Sequence, residues 1–219
     1  MNRYLNDLLR ILETEDRLEA LRFILDLMNQ DNLSVQEIHE ELLTPALNSM
    51  VPSGDVNMDI WKEHVRTSII KSVIENLLPY VARERAAVST PKGKTVAVLC
   101  PPEEYHDVGA RMAADILTIH GYETIFVGGN TPLRVFEAGL ATLPIDYVAI
   151  SISNPYHLVS ARNIIEGIRS KSPGVRIIVG GNAIEKLGER AEVLKVDRFV
   201  HSLNDLKDLE GGVSHESRV

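Results

Sequence analysis

The sequence has few features that would crosslink it or attract it to an anionic surface. It contains one cysteine, Cys100, so no disulfide can form within the chain, and a thiol at the end of an apolar run is more typical of a buried structural residue than of a reactive one. The 31 acidic residues outnumber the 23 basic ones, and a formal net charge of -8 argues against broad electrostatic binding to nucleic acid or a membrane surface. The N-terminal residues lack the uninterrupted apolar stretch of a signal peptide or a transmembrane helix. These absences predict a cytoplasmic protein without direct nucleic-acid or membrane partners.

The first 90 residues show almost no strand pattern. Their apolar residues recur at helical spacing, for example at Leu5, Leu8, Leu9 and Leu12. Breaks in this pattern lie near residues 14–16, 31–34 and 52–54. The last helix is expected to run from about Met58 to Arg85. We therefore predict a four-helix bundle over residues 1–90, followed by a polar linker that marks a domain boundary.

Residues 91–219 alternate short apolar runs with helical patterns. The runs cover residues 95–100, 123–127, 146–151, 175–179 and, more weakly, 197–200. Strands buried between two layers of helices are continuously apolar, so this pattern predicts an α/β domain with a doubly wound, five-stranded, mostly parallel sheet, Rossmann-like in type. Ligands of such sheets bind beyond the carboxyl ends of the strands, which makes the loops after the strands the candidate site. A polar tail is predicted from Glu210 onward.

The loop after the first predicted strand contains a histidine with a carboxylate two residues before it. His106 is placed where a ligand to a bound metal is expected, although an isolated loop histidine is more often a solvated side chain or a cap. Glu104 can accept the Nδ1 proton of His106 and leave Nε2 for a metal. Gly109 would let the backbone approach a large ligand. With no cysteine or second histidine nearby, the remaining donors would have to come from a macrocycle rather than from a zinc site.

Small residues follow two further strands. Ser151 and Ser153 come after the third strand, and Gly180 and Gly181 come after the fourth. Each pair alone is consistent with an ordinary turn or helix cap, whereas the glycine pair would also let a flat ring system lie against the backbone. The glycine-containing loops do not form a G-x-G-x-x-G or P-loop motif, which disfavours dinucleotides and nucleoside triphosphates.

Taken together, these loops resemble the cobalamin-binding domains of methionine synthase, corrinoid methyl carriers and cobalamin-dependent light sensors. The motifs that carry the resemblance follow the expected strands in family order: Glu104-x-His106-x-x-Gly109, Ser151-x-Ser153 and Gly180-Gly181. Glu104 stands where most members have aspartate, and glutamate at this position is similar to the light-sensor branch. Ser153 stands where most members have leucine. The resemblance covers nearly the whole chain, as a helical cap followed by a Rossmann-like domain.

The resemblance implies a cofactor, adenosylcobalamin or methylcobalamin, held between the two halves. It implies that His106 replaces dimethylbenzimidazole as the lower axial ligand of cobalt and that Glu104 orients His106. It further implies that the small residues of the later loops line a slot for the displaced nucleotide tail. The cofactor-binding residues expected in these loops are Glu104, His106, Asp107, Gly109, Ser151, Ser153, Gly180 and Gly181.

The helical half adds a second Glu-His pair. Glu63 and His64 resemble the Glu-His element that light sensors place over the upper face of the corrin, which implies His64 as a possible upper axial ligand. Trp61, two residues before Glu63, would then contribute to the same face. Without the resemblance, Glu63 and His64 are typical of an exposed first helical turn, and Trp61 is expected to pack in the core of the cap.

Three functions are compatible with a cobalamin-binding chain of this kind. The first is a sensory or regulatory module, of which a light-responsive protein is one form, that acts through a protein partner or a homo-oligomer. The alternative is a corrinoid methyl-carrier subunit, which would be only part of a methyltransferase system. A storage or structural protein is the third. The sequence leaves open whether the chain takes part in an enzyme.

Overall fold

The computed structural model describes residues 2–210 and divides the chain into two compact units, Met1–Ala86 and Ala87–Val219. The division lies shortly before the predicted boundary at residue 90. The reason is that the polar segment after Ala86 packs with the second unit, where the Lys92 amide donates to the Gly121 carbonyl at 2.9 Å. Beyond Glu210, the predicted polar tail lies outside the described residues.

The first unit is helical. Its elements are α1 (Asn2–Glu13), α2 (Arg17–Gln30), α3 (Val35–Glu37), a π-helical turn (Ile38–Leu43), α4 (Thr44–Asn48) and α5 (Val56–Ala86). Because α3, the π turn and α4 follow one another without a break, residues 2–86 form four helical stretches, which confirms the predicted bundle. The core of this unit consists of buried aliphatic side chains that include Leu8, Leu12, Ile24, Leu27, Ile38, Leu42, Ile70, Val73 and Leu77.

Local capping explains where the shorter helices begin. Asp16 accepts hydrogen bonds from the Leu18 and Glu19 amides at the start of α2. Ser34 and Glu37 form a capping box at the start of α3. Among residues 2–210, no helix combines the length and the apolar character needed to cross a membrane.

The second unit is built on a parallel sheet. Its strands are β1 (Thr95–Leu99), β2 (Glu123–Gly128), β3 (Tyr147–Ser151), β4 (Arg176–Gly180) and β5 (Arg198–Val200). Over the described residues these five strands form one sheet in the order β2-β1-β3-β4-β5, with every pair parallel. The predicted α/β architecture is therefore confirmed, and each strand lies within a residue or so of the apolar run that predicted it.

Helices lie on both faces of the sheet. They are α6 (Val108–Ile119), α7 (Leu133–Thr142), α8 (Leu158–Lys171) and α9 (Asn182–Leu187). Ala97 and Leu99 of β1 join a buried cluster with residues of α7, α8 and α9. Side chains alternate between the two faces of a strand, so Val96 and Val98 point to the opposite face, and α6 contacts β1, β2 and β3 there. Burial on both faces is what made β1, β3 and β4 continuous apolar runs in the sequence.

Candidate functional site

The strand order brings the loops after β1 and β3 together. Both strands run in the same direction, with Leu99 beside Ile150, so their carboxyl ends meet at one edge. The chain leaves β1 toward β2 on one side, while β3 lies on the other. This is the topological switch point, where open α/β sheets form ligand sites. The predicted location of the site is therefore at the edge where the two loops face each other.

Glu104 connects the two loops. Its side chain is fully buried, and Oε1 accepts from the backbone amide of His106 at 3.1 Å and lies 2.7 Å from His106 Nδ1. Oε2 accepts from the amides of Ser153 and Asn154 at 3.0 and 2.9 Å and lies 3.0 Å from Nδ1 of His157. The glutamate is thus long enough to reach His106 and to bridge to the β3 loop.

The hydrogen bonds keep this buried carboxylate ionised. Burial alone would raise the pKa of Glu104, but the hydrogen bonds from His157, Asn154 and His106 lower it to about 2. An ionised carboxylate can only accept hydrogen bonds. Nδ1 of His106 and Nδ1 of His157 must therefore each carry a proton, and in a neutral imidazole the lone pair is then on Nε2.

His106 is held by its backbone as well as by its ring. Its side chain is 56% exposed although its Nδ1 partner is buried. Its carbonyl accepts a hydrogen bond from Ser153 Oγ at 3.3 Å. The ring is thus fixed in orientation at one nitrogen while much of its surface remains accessible, which is the arrangement expected of a metal ligand with a carboxylate partner.

Sequence reasoning missed His157. It lies in the short 3-10 helix Pro155–His157 after β3, and its side chain is only 15% exposed. His157 is 53 residues from Glu104, so no local spacing could connect the two. The available signal was its position in a loop at the carboxyl edge of the sheet, the same criterion that selected His106.

The other residues of the predicted motifs have varied surroundings. Asp107 immediately precedes α6, and Gly109 is in its first turn. A Cβ atom at Gly109 would lie 3.8 Å from Ser151 Oγ, an ordinary van der Waals contact. Ser151 itself ends β3 and pairs with Gly180 of β4.

Gly181 is required by the backbone. Its φ of 104° favours glycine, and a Cβ atom there would lie 2.5 Å from the Ile152 carbonyl oxygen. At Gly180 a Cβ would lie 3.0 Å from the Val200 carbonyl oxygen. The glycine pair is therefore explained by close packing against the chain after β3 and against β5, and its role in lining a slot for a nucleotide tail remains a prediction.

Comparison with known families identifies the second unit. The family described as B12 binding domain matches residues 94–201, which span all five strands and the loops at the carboxyl edge. These residues belong to the B12-binding domain family. The predicted cobalamin cofactor is thereby confirmed. No curated protein matches the chain in sequence.

Solved structures resemble the chain along most of its length. The monomethylamine corrinoid protein of Methanosarcina barkeri is 12% identical in sequence. Its superposition has a TM-score of 0.74 and covers 94% of this chain and 96% of that one. A cobalamin-binding protein from Desulfitobacterium hafniense is 16% identical, with a TM-score of 0.49 over 93% and 95% of the two chains. A methanol:cobalamin methyltransferase complex from Methanosarcina barkeri is 10% identical, with a TM-score of 0.48 over 94% and 77%. The first likeness establishes a shared fold.

The donors of the B12-binding unit fit cobalamin. Within residues 2–210, no group of three or more histidine, cysteine, aspartate or glutamate side chains could hold a metal ion. A metal at this edge would therefore need a macrocycle for most of its donors, as in a corrinoid. His106 Nε2 supplies one further nitrogen with its tautomer already set by Glu104.

The predicted residues of the helical unit differ from those of the B12-binding unit in exposure. Trp61 is 56% exposed and donates from Nε1 to Glu15 at 3.0 Å, so the expectation that it packs in the cap core is wrong. The indole of Trp61 is hydrogen-bonded to Glu15 at the surface of the helical unit. His64 has a side chain 75% exposed, with Nδ1 at 2.6 Å from Glu63 Oε2. Glu63 also accepts from Thr67 Oγ1 at 3.0 Å.

Proposed function

We propose that this protein is a corrinoid carrier: it holds cobalamin with His106 as the lower axial ligand and presents it to partner proteins that add or remove a one-carbon group. The observation that carries the proposal is the exposed imidazole of His106 with its Nδ1 proton on the buried carboxylate of Glu104. Cobalamin, when bound, supplies a cobalt ion that can accept and release an alkyl group.

The residues of the chain have distinct tasks in this proposal. His106 donates the Nε2 lone pair. Glu104 stays ionised and keeps the proton on Nδ1, which increases the donor strength of Nε2. Asp107, Gly109 and Ser151 border the loop that carries His106, while Gly180 and Gly181 keep the neighbouring strand end free of side chains.

The carrier function is favoured over the regulatory one by a named structural neighbour. The chain shares its architecture, over 94% of its length, with a protein named as a monomethylamine corrinoid protein. In this proposal the chain holds the cofactor, and partner proteins supply and accept the one-carbon group. The protein partner expected from the sequence is, in this proposal, a methyltransferase.

Electron paramagnetic resonance tests the lower ligand. The protein should be loaded with cobalamin, reduced to Co(II) and compared after labelling of its histidines with ¹⁵N. We expect a nitrogen hyperfine pattern that changes with the isotope and disappears in His106→Ala. His201→Ala, at an exposed histidine after β5, serves as the control and should retain the pattern. If the hyperfine pattern of the parent protein does not change when its histidines carry ¹⁵N, His106 is not the ligand.

Isotope transfer tests the carrier role. Parent protein loaded with ¹⁴C-methylcobalamin should transfer the label to a thiol when a purified corrinoid-dependent thiol methyltransferase is added. The His106→Ala variant should transfer it more slowly. A rate no greater than that of free methylcobalamin, for a protein that passes the resonance test, would contradict the carrier role.

The regulatory function is a second candidate because of the exposed Glu63–His64 pair. In this alternative, His64 would supply a second imidazole to bound cobalamin after illumination, and the resulting change would be transmitted to a partner or to a second copy of the chain. Size-exclusion chromatography of the adenosylcobalamin-loaded protein, before and after illumination, tests it. A light-dependent change of hydrodynamic size supports regulation, and an unchanged size in the loaded protein argues against it.

A further inference from the structure

Two left-handed residues face each other beside the His106 loop. Glu103 has a φ of 70° and Asn130 has a φ of 48°, values that residues other than glycine rarely adopt. Asparagine tolerates this region because its short side chain can hydrogen-bond locally, whereas a glutamate in it is strained. Glu103 directly precedes Glu104, so its conformation determines where the buried carboxylate begins.

Two hydrogen bonds join Asn130 to Glu103 and to Glu104. The Glu103 amide donates to Asn130 Oδ1 at 2.9 Å, and the Asn130 amide donates to the Glu104 carbonyl at 2.8 Å. Both bonds span 26 or more positions in sequence and connect the loop after β1 to the loop after β2. A Cβ atom at Gly129 would lie 3.3 Å from the Glu104 carbonyl oxygen, which shows how closely the two loops approach.

The hydrogen bond that Asn130 Oδ1 accepts stabilises the left-handed conformation of Glu103. If the Glu103 amide lost this acceptor, Glu103 could relax toward an ordinary negative φ. That relaxation would rotate the backbone that carries Glu104. The hydrogen bonds of Glu104 to the amides of Ser153 and Asn154 depend on a fully buried position, so they would weaken first.

We infer that Asn130 is a positioning residue: by holding Glu103 in the left-handed conformation it places the Glu104 carboxylate against the β3 loop and within hydrogen-bonding distance of His106 Nδ1. This inference rests on the proposed function for its link to cobalt. Its structural part concerns only the described residues of the second unit and can be tested without cofactor.

Two substitutions at position 130 separate the acceptor from the conformation. Asn130→Gly removes Oδ1 while keeping the freedom to adopt a positive φ. Asn130→Asp keeps an acceptor oxygen and a residue type that tolerates this region. A third variant, Asn130→Gly combined with Glu103→Gly, removes the strain that Asn130 is inferred to hold. The side chain of Glu103 is exposed, so its loss should matter little in itself.

Amide hydrogen exchange of the cofactor-free protein is the first measurement. In Asn130→Gly the Ser153 and Asn154 amides should exchange about 2- to 10-fold faster, the equivalent of one hydrogen bond. Asn130→Asp and the double variant should exchange at nearly the parental rate. Unchanged protection in Asn130→Gly, or a double variant no better protected than Asn130→Gly, would overturn the inference.

The resonance spectrum of the Co(II) form is the second measurement. Asn130→Gly should give a mixture of spectra with and without histidine nitrogen, and the added Glu103→Gly should restore the parental spectrum. If the parent itself shows no histidine nitrogen while the exchange results hold, the proposed function fails and the positioning of Glu104 by Asn130 stands. If the parent shows the nitrogen and Asn130→Gly is indistinguishable from it, the inference fails while the proposed function stands.

Discussion

Two glutamate-histidine pairs of neighbouring residues have nearly the same hydrogen bond and opposite surroundings. His106 Nδ1 lies 2.7 Å from Glu104, and His64 Nδ1 lies 2.6 Å from Glu63. The Glu104 side chain is fully buried and bonded to two loops, whereas that of Glu63 is 38% exposed and also accepts from Thr67, one turn further along α5. The same chemistry is thus preorganised in one unit and adaptable in the other. An imidazole held by a buried carboxylate suits a permanent ligand, and one held by an exposed carboxylate suits a transient ligand.

Matched substitutions of the two glutamates should give the largest difference. Glutamine has one acceptor oxygen, so at position 104 its amide group would face buried donors that include the Ser153 and Asn154 amides. Each buried donor left without an acceptor costs about 1–3 kcal/mol, and we expect Glu104→Gln to lose about 3 kcal/mol of unfolding free energy. Glu63→Gln should stay within about 0.5 kcal/mol, as exposed substitutions usually do.

Urea unfolding of the cofactor-free protein measures both variants. Equal losses would show that the burial of Glu104 confers no special role, and the contrast between the two pairs would disappear. An intact fold with a lost histidine nitrogen signal in Glu104→Gln would instead assign Glu104 to ligand control rather than to stability.

Acid should remove the advantage of the buried pair. The folded-state pKa of Glu104 is about 2, below its ordinary value of 4.5, so its contribution is fully present above about pH 4.5 and is lost as the pH falls through 2. The size of the shift corresponds to about 3 kcal/mol. The difference in stability between the parent and Glu104→Gln should therefore be greatest near neutral pH and shrink below pH 4.5. A difference that is constant from pH 6 to pH 2.5 would contradict an ionised Glu104.

The sequence predicted the fold well and the site in part. Strands buried on both faces are continuous apolar runs, so β1, β3 and β4 were readable without tertiary information. Glu104 and His106 are two residues apart, and local spacing was enough to pair them. His157 and Asn130 were not predicted, because they reach the same loop only after the sheet has formed. The left-handed conformation of Glu103 has no sequence signal, since its cause is the facing loop.

Loss of His157 should have a smaller effect than loss of Glu104. It supplies one hydrogen bond to the carboxylate, and hydrogen bonds to charged groups contribute about 1.5–3 kcal/mol. His157→Ala should fall at the lower end of this range, because the remaining donors can still hold Glu104. His157→Asn keeps an N–H donor and should recover part of the loss.

Carboxyl ¹³C titration checks the cause of the His157 effect. The pKa of Glu104 should rise from about 2 in His157→Ala, since one of the hydrogen bonds that lower it is gone. A stability loss without a rise in that pKa would mean that His157 acts by packing alone.

His64 should give the smallest effect on stability and the clearest test of the adaptable pair. Its ring is 75% exposed, so His64→Ala should change the unfolding free energy by no more than about 0.5 kcal/mol. If His64 is a transient upper ligand, adenosylcobalamin-loaded parent protein should give a bis-histidine cobalt spectrum after illumination, and His64→Ala should not. Glu63→Gln should give an intermediate yield, because a neutral amide holds the Nδ1 proton less firmly than a carboxylate does. His201→Ala controls for the general loss of a histidine. Identical photoproducts in all four proteins would mean that exposure at Glu63 and His64 reflects an ordinary helix surface, and the regulatory function would lose the observation that favours it.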